Sequence, residues 1–175
     1  MKLGKTLISE HEIQHRTSQL AHQIVNDFKD KEILIVGVLK GAFMFTADLV
    51  RRISKLDAKI EIDFIRARSY GSGKESSGNV KIDLDVSADL KNTCVLLVDD
   101  IVDSGNTLKQ VCEYLHGKGA ANVSTCVLLD KPSRRTTDFV PDYIGFEIPD
   151  YFVVGYGLDH NERGRCLPFI THIVD

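Results

Sequence analysis

Hydrophobic and polar positions change their period several times along the chain. Ile13, Leu20, Ile24 and Val25 recur at roughly helical spacing behind Ser9-Glu-His-Glu12, a capping-box pattern, so a first helix is predicted over 10–28. Ile33 to Leu39, ILIVGVL, is an unbroken apolar run of strand length. A strand buried on both faces reads this way, and parallel sheets supply such strands. Lys40-Gly41 turns the chain into a second helix marked by Phe43, Phe45, Leu49 and Val50, and Lys59 to Phe64 alternates as a half-buried strand does. Val80 to Leu84 and Cys94 to Val98 are predicted strands, and Leu108 to His116 is a predicted helix stopped at Gly117-Lys-Gly119. Val123 to Leu129, Tyr143 to Ile148, Phe152 to Val154 and Leu167 to Val174 complete the set. Strands alternating with helices imply an α/β domain with a parallel-sheet core, whose ligand sits at the carboxyl ends of the strands. No internal repeat is visible.

The one Gly/Ser-rich stretch, YGSGKESSGN from Tyr70 to Asn79, separates two strand candidates rather than two compositionally distinct halves. A mobile flap is the favoured expectation, with a plain long hairpin as the alternative. Its Gly73-Lys74 is not a P-loop, because Glu75 follows the lysine and Arg68 stands where the first glycine belongs. At 175 residues the chain is expected to be one domain, and 43% apolar with 27% charged residues is a globular composition. A net charge of -3 argues against non-specific nucleic-acid binding, and Arg51-Arg52 and Arg134-Arg135 are expected on solvated faces. MKLGKTLIS lacks a signal-peptide core and no apolar run can span a bilayer, so a cytoplasmic protein without membrane contact is expected. Cys94, Cys112, Cys126 and Cys166 lie far apart without a C-x-x-C pair, and buried, inert thiols are the default.

VLLVDDIVDSGNTL, Val95 to Leu108, carries the chemistry. Adjacent carboxylates repel and lose solvation unless something positive or hydroxylated binds them, and Asp99-Asp100 fall where a parallel strand ends. The following loop, Asp103-Ser104-Gly105-Asn106-Thr107, leads into a helix: Gly105 permits a tight turn, Ser104 and Thr107 offer hydroxyls, and the first amides of the helix point outward as an anion cradle. Amides take a phosphate, while carboxylates take hydroxyls or magnesium. A phosphorylated sugar satisfies both. Each piece alone is more often a capped turn or a solvated strand end; together on one strand-loop-helix junction they favour function.

The same stretch resembles the phosphoribosyl-pyrophosphate motif of the type I phosphoribosyltransferases. GFEIPDYFVVGYGLDHNERGR, Gly145 to Arg165, resembles the purine- and pyrophosphate-binding segment of the hypoxanthine-guanine phosphoribosyltransferases. VLKGAFMF, Val38 to Phe45, and RARSYGSG, Arg66 to Gly73, resemble that family's pyrophosphate loop and lid. The motifs follow the family's order over nearly the whole chain. The resemblance implies the type I fold, with a flap at about 69–80 and a small hood from the N-terminal segment and about 145–175. It implies salvage of hypoxanthine and guanine by transfer from phosphoribosyl pyrophosphate, with magnesium as cofactor and a homodimer or homotetramer as the assembly.

Residue by residue, the resemblance places the sugar 5-phosphate on Asp103 to Thr107 and the ribose hydroxyls on Asp99 and Asp100. Asp99 stands where the family often has Glu, one methylene longer, and water or magnesium is expected to fill the difference. Asp103 would face the purine N7 as general base or proton shuttle. Lys131 would donate to the exocyclic oxygen and select oxopurines over adenine, Phe152 would stack on the base, and the Val153 backbone would meet its edge. Lys40-Gly41, Arg165 and magnesium held partly by Asp159 would take the pyrophosphate, Arg165 as a bidentate fork. Ser69 and Tyr70 would head the flap that excludes water. A cis Leu39-Lys40 peptide is a further expectation. Apart from the resemblance, Lys131 reads as a solvated loop lysine and Phe152 as core.

Three rivals remain at this point. His11-Glu-Ile-Gln-His15 matches H-E-x-x-H, which on a helix could hold zinc, but it sits beside a cap with no third ligand marked. VLLVDD also resembles the acidic first strand of receiver domains, although only the last 75 or so residues follow it here. A non-catalytic sensor of phosphoribosyl pyrophosphate would keep the fold but need a nucleic-acid surface that the acidic balance does not supply.

Overall fold

The computed structural model describes residues 1–69 and 80–174. The described elements are β1 (Lys2–Ile8), α1 (Glu10–Asp27), β2 (Ile33–Val38), α2 (Phe43–Ser54), β3 (Ile60–Ser69), β4 (Val80–Leu84), β5 (Cys94–Val102), α3 (Asn106–Gly117), β6 (Asn122–Asp130), β7 (Tyr143–Glu147), β8 (Val153–Val154) and β9 (Ile170–Val174). A 3-10 turn, Pro132–Arg134, follows β6.

The six-stranded sheet has the order β4-β3-β2-β5-β6-β7. From β3 to β7 all neighbours are parallel, and only β4 runs antiparallel, against β3. ILIVGV of β2 lies near the middle with every residue buried, which is why its sequence shows no alternation. Helices α1 and α2 cover one face, where Ile13, Leu20, Ile24, Phe45 and Leu49 meet Ile35, Leu96 and Val98. Leu108, Val111 and Leu115 of α3 cover the other face, against Val36, Val95 and Leu97. Chain order leaves β2 toward β3 on one side, and β5 continues to β6 and β7 on the other. The carboxyl ends of β2 and β5 therefore flank a topological switch point, the place where such sheets leave a crevice.

A second sheet, β1-β9-β8, joins the two ends of the chain. Strand β1 is absent from the expectations because KLGKTLI is mostly exposed and pairs with residues far away in sequence. β3 runs past the expected end at Phe64, since Arg66 to Ser69 extend it by pairing with β4 rather than by burying apolar side chains. α3 starts two residues before Leu108, at Asn106. The predicted capping box is formed: Glu12 N–H donates to Ser9 Oγ at 3.3 Å and Ser9 N–H to Glu12 Oε2 at 2.8 Å. From Tyr70 to Asn79 the expected flap lies outside the described residues, and Ser69 closes β3. Among the described residues no helix is long and apolar enough to cross a membrane.

Candidate active site

At the carboxyl end of β5, Asp99 is 8% exposed and Asp100 is half-buried. Asp100 N–H donates to Asp99 Oδ1 at 2.9 Å, and Ile101 N–H to Asp100 Oδ1 at 2.8 Å. These amides orient the pair without neutralising it. Burial first, and then the charge of Asp100, push the Asp99 carboxyl well above the ordinary carboxylate range. Burial also pushes Asp100 up, opposed by hydrogen bonds to Asp99 and the backbone and by the Arg165 charge.

Beyond them, Ser104 to Thr107 wrap the start of α3. Gly105 has φ of 85°, and a side chain there would collide with Thr137 Oγ1 and Arg135 Cδ, so both backbone and space demand glycine. The N-cap Gly105 has no side chain to cap this helix, and although the Asn106 N–H donates to Ser104 Oγ at 3.3 Å, the amides that follow it are left at the open end. The loop is buttressed from behind: Thr137 Oγ1 donates to the Ser104 carbonyl at 2.9 Å, Thr136 N–H to the same oxygen at 3.2 Å, and Arg135 Nε to the Asp103 carbonyl at 3.0 Å. Arg135 in turn pairs with the buried Asp130, so this residue of the basic pair Arg134-Arg135 is structural rather than solvated. A concavity of about 200 Å³ is lined by Asp99, Val102, Asp103, Ser104, Gly105 and Thr107.

Lys131 follows β6, the strand beside β5. Its side chain is only 8% exposed, and Nζ lies 3.5 Å from Asp103 Oδ1 and 3.7 Å from Asp150 Oδ1. A buried ammonium needs partners. Here they are two carboxylates at the rim of one cleft, with Arg134 on the far oxygen of Asp150 at 3.5 Å. Phe152, two residues beyond Asp150, is 58% exposed and meets His160 edge-on at 5.5 Å, while Val153 opens β8. An exposed ring beside a cleft has a stacking face to offer.

The third group gathers around the end of β2. The Leu39-Lys40 peptide is cis. A side chain on Gly41 would overlap the Asp100 carboxylate, and one on Gly157 would overlap the Gly41 carbonyl, so the two glycines let three segments close on one another. Arg165 donates from Nη1 to the Gly157 carbonyl at 2.7 Å, and its Nη2 lies 2.8 Å from Asp159 Oδ1 and 3.1 Å from Glu162 Oε2. Lys40 Nζ holds the other Glu162 oxygen at 3.1 Å. Glu162 thus links the two cations expected to meet pyrophosphate, and their hydrogen bonds hold its carboxyl below the usual range.

Lys40, Gly41, Asp99, Asp100, Asp103 to Thr107, Lys131, Phe152, Val153, Asp159 and Arg165 therefore line or border the carboxyl ends of β2, β5 and β6 and the segment after β7. Asp150 and Glu162 escaped the sequence reading. A carboxylate in a turn carries no signal of its own until Lys131 or Lys40 is brought to it from a distant segment. The H-E-x-x-H match has a different explanation: Glu12 is occupied by the capping box, His15 contacts Gln19 at 3.1 Å, and among the described residues no three His, Cys, Asp or Glu side chains gather as a metal site.

Comparison with known proteins agrees with this geometry. A family model described as the phosphoribosyl transferase domain matches residues 6–161. The hypoxanthine-guanine phosphoribosyltransferase of Aquifex aeolicus is 45% identical over 98% of this chain and 95% of its own. The hypoxanthine phosphoribosyltransferase of Salmonella typhimurium is 45% identical over 97% of this chain and 95% of its own. A crystal structure of a hypoxanthine-guanine phosphoribosyltransferase from Bacillus anthracis superposes with a TM-score of 0.93 at 43% identity, covering 99% of this chain and 100% of that one.

Proposed function

The chain belongs to the phosphoribosyl transferase domain family, and from that membership we propose that it salvages purines. It transfers the phosphoribosyl group of phosphoribosyl pyrophosphate to hypoxanthine or guanine, giving IMP or GMP and pyrophosphate. The observation that carries this reading is the Lys131–Asp103 pair, a buried ammonium 3.5 Å from a carboxylate at the mouth of an anion cradle. A cradle alone would serve a non-catalytic sensor. A cation and a base facing each other across the cleft suit an oxopurine, whose exocyclic oxygen accepts from Lys131 while a ring nitrogen gives its proton to Asp103.

The sugar phosphate sits on the amides of Ser104 to Thr107, and the ribose hydroxyls donate to Asp99 and Asp100. Phe152 stacks on the base, and the Val153 backbone meets its edge. Lys40, the Gly41 amide and Arg165 take the pyrophosphate, displacing Glu162 from the two cations. The reacting centre acquires oxocarbenium character as the C1–pyrophosphate bond breaks, so holding nucleophile and leaving group in line is the main contribution of the protein.

Magnesium fits this donor set. Asp99 and Asp100 are hard oxygen donors whose burial and mutual repulsion favour a cation, and Asp159 stands on the pyrophosphate side. A few carboxylates without an all-protein cage suit an ion that takes its other oxygens from substrate phosphates and water. When bound, it neutralises charge on the leaving pyrophosphate. The chain acts as a single domain in a homodimer or homotetramer in the cytoplasm.

The test is pyrophosphate release with phosphoribosyl pyrophosphate and magnesium, offering hypoxanthine, guanine, xanthine and adenine separately. Turnover with hypoxanthine or guanine and not with adenine is expected. A folded protein that binds phosphoribosyl pyrophosphate yet turns over no base would replace the enzyme by the sensor.

A further inference from the structure

Gly155, Tyr156 and Gly157 hold φ values of 109°, 49° and 104°, three consecutive residues in the left-handed region. Glycine tolerates this, whereas a tyrosine held there is strained and persists only where its surroundings fix it. The surroundings of Tyr156 are specific. Its backbone N–H donates to the Leu167 carbonyl at 2.8 Å, its ring is buried in the core beneath the large sheet, and its hydroxyl donates to Asp48 Oδ2 at 2.5 Å. The other Asp48 oxygen meets Arg51 Nη1 at 3.1 Å, so both carboxylate oxygens are engaged. Burial, followed by the hydrogen bond to Asp48, pushes the Tyr156 phenol far above its usual range and keeps it a donor at any working pH.

Asp48 stands in α2, the helix that the Lys40-Gly41 loop enters. Gly157, next to Tyr156, packs its Cα against the Gly41 carbonyl, and its own carbonyl receives Arg165 Nη1. The hydroxyl thus ties the turn that bears Asp159 and Arg165 to the helix that follows the Lys40-Gly41 loop. These segments lie 108 residues apart at the Tyr156–Asp48 contact and meet again where Gly157 packs on Gly41 and where Lys40 Nζ reaches Glu162 at 3.1 Å.

We propose that Tyr156, through its hydroxyl bond to Asp48, is a positioning residue that sets Arg165 and Asp159 against the Lys40-Gly41 loop and so tunes recognition of the pyrophosphate group without touching the base. The inference rests on the transferase reading above. Losing a buried hydrogen bond to a charged acceptor lets the turn relax, and the effect falls on one substrate.

The experiment is steady-state kinetics and pyrophosphate-binding calorimetry on the whole chain with magnesium, for the wild type, Tyr156→Phe, Asp48→Ala, the double variant and Asp48→Asn. In Tyr156→Phe and Asp48→Ala, KM for phosphoribosyl pyrophosphate and Kd for pyrophosphate should rise about tenfold while KM for hypoxanthine stays within about twofold. The double variant should be no worse than either single one, because both remove the same bond. Asp48→Asn, whose amide oxygen still accepts, should recover most of the loss. An unchanged KM for phosphoribosyl pyrophosphate, an equal rise for both substrates, or additive single losses would overturn the inference. Wild-type protein without turnover would overturn the transferase reading itself, an outcome seen before any variant is compared.

Discussion

Asp99 and Asp100 cost the free protein stability that their ligands return. A carboxyl that holds its proton more tightly when folded than when unfolded costs stability that grows as pH rises above the unfolded pKa toward the folded one. Asp99→Asn should therefore raise Tm at pH 7 in the ligand-free protein. The gain should shrink on acidification and vanish below about pH 4, where both states are protonated. The same variant should bind phosphoribosyl pyrophosphate with magnesium at least tenfold more weakly by calorimetry. A lowered Tm at pH 7 would show that Asp99 is satisfied by the fold rather than reserved for ligand. Gly41 belongs to the same scale. Gly41→Ala would drive a methyl into the Asp100 carboxylate and should cut kcat/KM by about a hundredfold, since small misplacements of reacting groups are that costly, while the far-UV circular dichroism stays native.

At the scale of elements, the capping box separates stability from function. Ser9→Ala removes the acceptor for the Glu12 amide and the donor to its carboxylate, and should destabilise the fold by about 1 kcal/mol in urea titration with kcat and KM unchanged. The Ser9 bonds hold the Glu12 carboxyl below its usual range, so its share of stability is present above the unfolded pKa and is lost as pH falls through the lower folded one. The difference between variant and wild type should therefore narrow in acid. The box was legible from four letters because its partners are three residues apart. So was β2, whose continuous apolar run needs no knowledge of its neighbours, and so was the Asp99 to Thr107 junction, where strand end, turn and helix start are contiguous. β1 was not, because an exposed edge strand has no period of its own. Asp150, Glu162 and the Tyr156–Asp48 bond were not, because each acquires its role from a residue brought in from another segment. The roles of Lys131 and Phe152 came from resemblance rather than from pattern, and burial of Lys131 is what separates it from an ordinary loop lysine.

At the scale of the whole molecule, one rule places the chemistry. The parallel sheet reverses its winding between β2 and β5, and the crevice at their carboxyl ends receives the Lys40-Gly41 loop from one side and the Asp103 to Thr107 loop from the other. β6 delivers Lys131 beside them, and the segment after β7 brings Phe152, Asp159 and Arg165 across the top. On the function proposed above, this crevice reads an oxopurine through the Lys131–Asp103 pair. The measurement that tests it most directly is the ratio of kcat/KM for hypoxanthine to that for adenine, in the wild type and in Lys131→Ala. The ratio should exceed about 10⁴ in the wild type, as for sites whose buried polar groups reject an analogue that leaves them unpaired, and should collapse at least a hundredfold in the variant. A wild type that favours adenine, or a variant that keeps the wild-type ratio, would contradict it.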